Sequence, residues 1–372
     1  MKQSNKKVME KTRRLLILCP YPKGCAGSQR FRFEQYLGVL ELAGIHVTQR
    51  AFLTMWGWGV VYKKGFTLLK IIATLWGFVQ RCALLITLYK YDLVMIHREA
   101  SPLGPPIFEW WTARIAKKKI IYDFDDAIWI KNTSNPWISW FKNPEKTSLI
   151  CKWSSMVYVG NQYLADYATL HNDNVVIIPT TIDTEHHHNI TKKHIQNKAG
   201  KVICIGWTGS HSTLPYLKNV EGALEAIQRK HNACFKIIAD KAPRGLTIPF
   251  DFEEWNLADE IDQLQDIDIG IMPLPNEEWA KGKCAFKALQ YLSLGIPCVA
   301  SPVGTNKNVV LANQTGLLAE TKNEWIQAIE CLLLDHALRG RLGEAGREHV
   351  LQRFSVLSQQ AAYVHNINNL TV

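Results

Sequence analysis

Short apolar runs recur along the chain, separated by longer segments of mixed polarity. LLILCP (15–20), HVTQRAFL (46–53), YDLVMIH (91–97), KKIIYDF (118–124), SMVYVGN (155–161) and VVIIPT (175–180) predict one set of strands. KVICIGW (201–207), CFKIIAD (234–240), IDIGIMPL (267–274), PCVASPV (297–303) and TGLLAE (315–320) predict a second. Strands that are apolar on both sides and alternate with helical patterns belong to parallel sheets covered on both faces. Two successive sets predict an α/β protein of two doubly wound, Rossmann-like domains, with ligands at the carboxyl ends of the strands and a site in the cleft between domains. The expected division is 1–185, 200–352 and a terminal helix, 353–372, that packs back on the first domain. The polar, aperiodic stretch 181–200 is the expected linker. Its His186, His187, His188 and His194 are read as linker residues, because adjacent side chains on an extended chain point apart.

One segment breaks the pattern. FTLLKIIATLWGFVQRCALLITLY (66–89) is long enough to cross a bilayer, yet Lys70, Gln80 and Arg81 interrupt it. Lys70, Thr74, Gly77 and Arg81 form one narrow polar stripe. Such a helix is either buried or lies in a membrane interface, and periodicity alone does not separate the two. Lys63, Lys90, Trp56, Trp58 and Trp76 nearby add the residue types found at membrane surfaces.

Charge sharpens the division into two halves. Residues 1–180 hold 24 Lys and Arg against 12 Asp and Glu; residues 181–372 hold 19 against 21. A basic N-terminal half points to an anionic partner such as phospholipid or a phosphorylated substrate. No recognised nucleic-acid-binding module accompanies it, so nucleic acid is not expected. The nine cysteines show no C-x-x-C and no zinc spacing, which fits reduced thiols in a cytoplasmic protein, with LLILCP too short for a signal-peptide core.

Candidate chemistry falls where strands end. In IGWTGSHSTLPYL (205–217), Thr208, Gly209, Ser210 and Ser212 precede an expected helix, a composition suited to cradling phosphate and equally to a plain N-cap. In GKCAFKALQYLSLGIPCVASPVG (282–304), a helix starting near Cys284 would place Lys283, Lys287 and Gln290 on one face. Two cations at a helix N-terminus oppose its dipole unless an anion lies between them. A diphosphate against Lys283, Lys287 and the amides near Ala285 and Phe286 meets that need; a solvated lysine face is the simpler reading.

IIYDFDDAIW (120–129) carries Asp123, Asp125 and Asp126 after a strand. A metal-binding D-x-D, a phosphotransferase start, a helix cap and a carboxylate facing an acceptor all remain open there. His97, Arg98 and Glu99 emerge at the end of the preceding strand, and Arg30 and Arg32 follow the first.

Together these segments resemble family 4 (group 1) glycosyltransferases of the GT-B fold. The resemblance lies in DIDIGIMPL, QYLSL and GIPCVASPVGTNKNVV, most specifically over 268–316, and in VGNQYLADYATLHNDNVVIIPTTID (159–183). YDFDDAIW, WTGSHST and GKCAFKALQY add a resemblance to bacterial enzymes of surface-polysaccharide assembly. It implies sugar transfer from a nucleotide diphosphate donor, with retention, without a metal or other cofactor, to a saccharide acceptor, plausibly lipid-linked at the inner membrane face. Thr208, Gly209, Ser210, Ser212, Lys283, Ala285, Phe286, Lys287 and Gln290 would then hold the donor, with Gln290 at the ribose. Asp125, Asp126 and His97 would line the reacting centre, and Arg30, Arg32, Arg98 and Glu99 would bind the acceptor. The sequence departs from the family at two glutamates eight positions apart, replaced by Gly282 and Gln290. The same fold also supports sugar-nucleotide epimerases, and the lost glutamates keep a non-catalytic nucleotide-sugar-binding partner of another transferase as a second alternative.

Overall fold

A computed structural model describes residues 13–61, 63, 65–130, 145–189 and 202–370. The chain forms two compact units. The first comprises Met1–Val159, Leu164–Ile178 and Gln360–Val372; the second comprises Gly160–Tyr163 and Pro179–Gln359. Most of the expected linker (190–200, including His194) lies outside the described residues.

In the first unit, β1 (Arg13–Cys19), β2 (Ile45–Ala51), β3 (Leu93–His97), β4 (Lys119–Phe124), β5 (Met156–Val159) and β6 (Val175–Ile177) form one parallel sheet in the order β2-β1-β3-β4-β5-β6. The registers Ile17↔Met95 and Met95↔Ile121 stack fully buried side chains across its centre. Such continuous burial is why these strands lack alternation in sequence. Residues 360–370 of the last helix, Val356–Leu370, belong to this unit. Tyr363 stacks on Tyr36 with ring centroids 4.1 Å apart and approaches Tyr158 at 5.6 Å.

In the second unit, β7 (Ile203–Gly209), β8 (Ala233–Ala239), β9 (Asp251–Glu254), β10 (Ile269–Met272), β11 (Cys298–Ala300) and β12 (Gly316–Leu318) form a parallel sheet in the order β12-β11-β10-β7-β8-β9. The two-sheet α/β architecture expected from the apolar runs is present. β9 was not foreseen: its sequence is DFEE, with three of four residues charged and mostly exposed, as an edge strand tolerates. Gly270 on β10 meets the Tyr291 ring, since a Cβ there would lie 2.4 Å from Tyr291 Cδ2. That close approach seats the helix Phe286–Ser293 on the sheet and fixes the frame of the second candidate site.

The Thr67–Thr87 helix is neither buried nor polar on its outer side. Of its most apolar stretch only 22% is buried. Gly77 and Arg81, read in the sequence as part of one narrow polar stripe, face inward. Arg81 is 2% exposed and donates to the carbonyls of Cys19, Arg50 and Ala100 at 3.0, 3.1 and 2.7 Å. The guanidinium reaches past the helix to carbonyls at the carboxyl ends of β1 and β2 and at Ala100 after β3, a role that composition does not reveal.

Candidate active site

The carboxyl ends of β3 and β4 hold a buried ionic cluster. Asp123, at the end of β4, is 1% exposed and lies opposite His97 in the strand register. Its Oδ2 is 2.6 Å from His97 Nδ1, and its Oδ1 accepts from Arg32 Nε at 3.1 Å and Nη2 at 2.5 Å. Arg32 also donates to the Ile178 carbonyl. Burial by itself would raise the Asp123 carboxyl; Arg32 and His97 outweigh it and hold the group at about 2. With a carboxylate at Nδ1, His97 directs its Nδ1–H there, and in the neutral ring Nε2 is then the acceptor. Nε2 is buried and has no hydrogen-bond partner among the described residues.

The structure separates the three aspartates. Asp123 belongs to the interior, whereas Asp125 and Asp126 both bind Arg98. Arg98 Nε and Nη2 donate to Asp125 Oδ1 at 2.9 and 2.8 Å, and Nη2 also to Asp126 Oδ2 at 2.5 Å. Burial pushes the Asp125 carboxyl up, but Arg98, then His97 and Arg32, bring it below its ordinary value. Arg98 itself sits at φ 60°, a left-handed conformation that costs a non-glycine residue and aims the side chain back over the aspartates.

Glu99 is met by Lys146 Nζ at 3.2 Å. Arg30 is half-buried and lies over the Phe31 ring, 4.9 Å from its centroid. Arg32, read in the sequence as an acceptor-binding residue, is 1% exposed and part of the ionic cluster. Asp123, read in the sequence only as one of three carboxylates, is the centre of that cluster. The two-residue alternation that put it on the same side as Asp125 ends with β4 at Phe124.

The second unit assembles the other candidate residues around the end of β7. The expected helix after Ser212 does not start there. Leu214–Leu217 forms a short 3-10 turn, and the helix proper is Lys218–Lys230. Pro215 explains the delay, because proline disfavours helical geometry at the residue before it. Neither Ser212 nor Thr213 makes a side-chain cap bond to that turn. Instead Ser210 and Ser212 pair their hydroxyls at 2.8 Å, and Asp240 at the end of β8 accepts from the His211 amide at 2.5 Å. Asp240 also meets His211 Nδ1 at 2.5 Å.

Lys283, Lys287 and Gln290 do not share one helix face. The helix begins at Phe286, and Ala285 before it has φ 55°. This break turns Lys283 onto the Trp279 ring, 5.1 Å from its centroid. Lys287 lies over Trp207, 5.3 Å from its centroid, alongside Gly209. A Cβ on Gly209 would come within 2.5 Å of Lys287 Cε and 2.7 Å of the Trp207 ring. Gly209→Ala is therefore expected to displace the lysine and to press on the buried Trp207 ring, lowering the melting temperature as well as weakening anion binding at this site about tenfold, read by thermal unfolding and titration calorimetry.

Gln290 is 3% exposed and donates through Nε2 to Glu260 at 3.3 Å. Glu260, itself 3% exposed, also accepts from Trp255 Nε1 at 3.1 Å and meets His187 Nε2 at 2.9 Å. This cluster was missed in sequence, since Glu260 reads as an ordinary helix-start acid. Asn161 was quoted only as part of VGN. Its Nδ2 donates to the carbonyls of Gly282 and Lys283 at 3.1 and 3.2 Å, shaping the loop before Ala285. Among the described residues no group of three or more His, Cys, Asp or Glu is placed to hold a metal ion.

Two parallel six-stranded Rossmann-like sheets, each with candidate chemistry at its strand ends, define a GT-B protein. Residues 202–335 match the family model described as "Glycosyl transferases group 1", so the second unit carries a glycosyltransferase domain and the enzyme class expected from the sequence stands. Among solved structures, sucrose-phosphate synthase from Thermosynechococcus elongatus is similar at TM-score 0.68 and 14% identity, covering 96% of this chain and 99% of that one. HepE from Anabaena, in complex with UDP and glucose, has TM-score 0.66 and 14% identity, covering 96% and 100%. The catalytic domain of starch synthase IV from Arabidopsis thaliana, bound to ADP and acarbose, has TM-score 0.68 and 11% identity, covering 97% and 99%. At such identities these likenesses concern the fold. No curated protein sequence matches the chain.

Proposed function

We propose that the protein transfers a sugar from a nucleotide diphosphate donor to a saccharide acceptor, lipid-linked and presented at the cytoplasmic membrane face, in the assembly of a surface polysaccharide. The observation that carries the donor reading is Lys287 laid beside Gly209 at the end of β7, where only a glycine leaves it room. A diphosphate there would meet lysine charge and the backbone amides that follow Ala285. The nucleotides in the titles of the HepE and starch synthase IV structures support the same donor class. Gln290, braced by Glu260, would offer its carboxamide oxygen to the ribose.

In the first unit, His97 Nε2 is the group suited to accept a hydrogen bond from a substrate hydroxyl. Its other nitrogen is fixed by Asp123, and burial leaves Nε2 unsatisfied. Asp125, held below its ordinary value by Arg98, is a weak base, and Asp125 and Asp126, both paired with Arg98, would serve to orient. Transfer would then proceed with retention. The acceptor oxygen forms its bond to the anomeric carbon as the bond to the diphosphate breaks, and the departing diphosphate takes the acceptor's proton. Lysine charge rather than a metal ion would stabilise the leaving group.

The test is a panel of nucleotide sugars scored by the rise in melting temperature, then by transfer to extracted lipid acceptors. Asp125→Asn and Asp126→Asn are each expected to lower turnover about tenfold or more while leaving the donor-induced shift intact. Full activity in both removes them from the reaction. Isomerised donor without any acceptor would mark an epimerase instead. Donor binding with no turnover would favour a non-catalytic partner, the role that Gly282 in place of a family glutamate keeps in view.

A further inference from the structure

The Thr67–Thr87 helix presents its greasiest side outward. Leu68, Ile72, Leu75, Trp76, Val79 and Ile86 are between 45% and 77% exposed and follow one another at helical spacing. Soluble surfaces rarely leave so long an apolar stripe uncovered. The neighbouring helices extend it. Met55–Val61 packs through Gly57 against Ala73 and leaves Trp56 50% exposed. Ile107–Trp110 packs through the Phe78–Phe108 ring pair and leaves Trp110 41% exposed.

Charge around the stripe has one sign. No Asp or Glu occurs between Glu41 and Asp92, and Glu109, the one acid in 107–119, is fully buried. Lys63, Lys90, Arg114, Lys117 and Lys119 are exposed. Apolar side chains at the centre, tryptophans beside them and cations without carboxylates match a bilayer surface bearing anionic headgroups. The helix cannot leave to cross the membrane without cost. Arg81 ties it to the carbonyls of Cys19, Arg50, Ala51 and Ala100, and pulling it away would strand a buried guanidinium.

We propose that the outer face of Thr67–Thr87, flanked by Trp56 and Trp110, lies in the interface of an anionic bilayer, parallel to its plane. The inference deepens the membrane-acceptor reading and rests on it for its purpose, but its test needs no sugar donor. The full-length protein is floated with vesicles of phosphatidylcholine, with and without phosphatidylglycerol. Binding is expected only or chiefly with phosphatidylglycerol, weakened by salt, and reduced at least about tenfold in Leu75→Ser/Trp76→Ser/Val79→Ser, whose positions are all more than half exposed. Lys90→Glu/Lys117→Glu is expected to remove the preference for phosphatidylglycerol.

Equal flotation of the triple variant and the parent overturns the proposal. So does absence of binding by the parent. A parent that is dimeric by light scattering, fails to float and becomes monomeric in the triple variant would instead make this face an interface between copies. The donor-induced rise in melting temperature, measured without vesicles, reports on the transferase reading separately.

Discussion

Asp123→Ala is expected to be the most damaging single substitution in the first unit, costing about 3–5 kcal/mol. The carboxylate is 1% exposed and neutralises Arg32, which is equally buried and also donates to the Ile178 carbonyl. Removing it leaves a guanidinium without its counter-ion in a dry interior, and frees His97 Nδ1 from the group that fixes its tautomer. Against a typical domain stability of about 5–15 kcal/mol, that loss is readable as a large fall in the urea midpoint. Arg32→Met with Asp123→Leu should recover much of it, because an apolar pair avoids the stranded charge. Stability unchanged in Asp123→Ala would mean that the cluster is not load sharing as the geometry indicates.

The same cluster sets an acid limit. The Asp123 carboxyl is held at about 2, below its ordinary value of 3.8, so the folded state binds this proton less readily than the unfolded chain. Its stabilisation is complete above the unfolded value and disappears as pH falls through about 2. Urea midpoints measured across that acid window should show a slope in the parent protein that Asp123→Asn lacks.

Lys287→Ala is expected to have the largest effect on the donor side, raising the dissociation constant for nucleotide sugar about tenfold to a hundredfold. A charge-assisted bond to phosphate is worth more than a neutral one, and the site offers the lysine a defined perch on Trp207 beside Gly209. Lys287→Met separates charge from packing. It keeps an apolar side chain over the indole and should bind as poorly as the alanine variant, while melting close to the parent. Parent-like affinity in both variants would move the diphosphate elsewhere, with Lys283 the next residue to replace.

Much of this arrangement was legible in the chain, and for a definite reason. A strand buried on both faces must be apolar throughout, so the interior strands announce themselves as runs such as LLILC and IGIM, and weaker runs mark edge strands such as β2. The edge strand Asp251–Glu254 has no such obligation, and its charges hid it. Gly209 and Lys287 were also visible as candidates, because a glycine at a strand end and a lysine near a helix start are uncommon enough to notice. Their direct contact was not, since they are far apart in sequence and meet only once Tyr291 has seated its helix against Gly270.

Side-chain direction at the ends of elements lay beyond periodicity altogether. Alternation holds only while a strand lasts, so it could not say that Asp123 turns inward to Arg32 and His97 while Asp125 and Asp126 turn to Arg98. Helical spacing failed in the same way at Ala285, where a left-handed residue takes Lys283 off the face it was expected to share with Lys287. On the Thr67–Thr87 helix the sequence determined that one side would be polar and the other apolar. Which side met the protein is visible only in the fold, where the Arg81 guanidinium donates to the carbonyls of Cys19, Arg50 and Ala100 and the apolar side faces out. Sequence thus determined the sheets, through the burial their strands require. Tertiary structure alone decided the ionic partners and the outward face, because these depend on which unpaired groups distant segments bring within hydrogen-bonding reach.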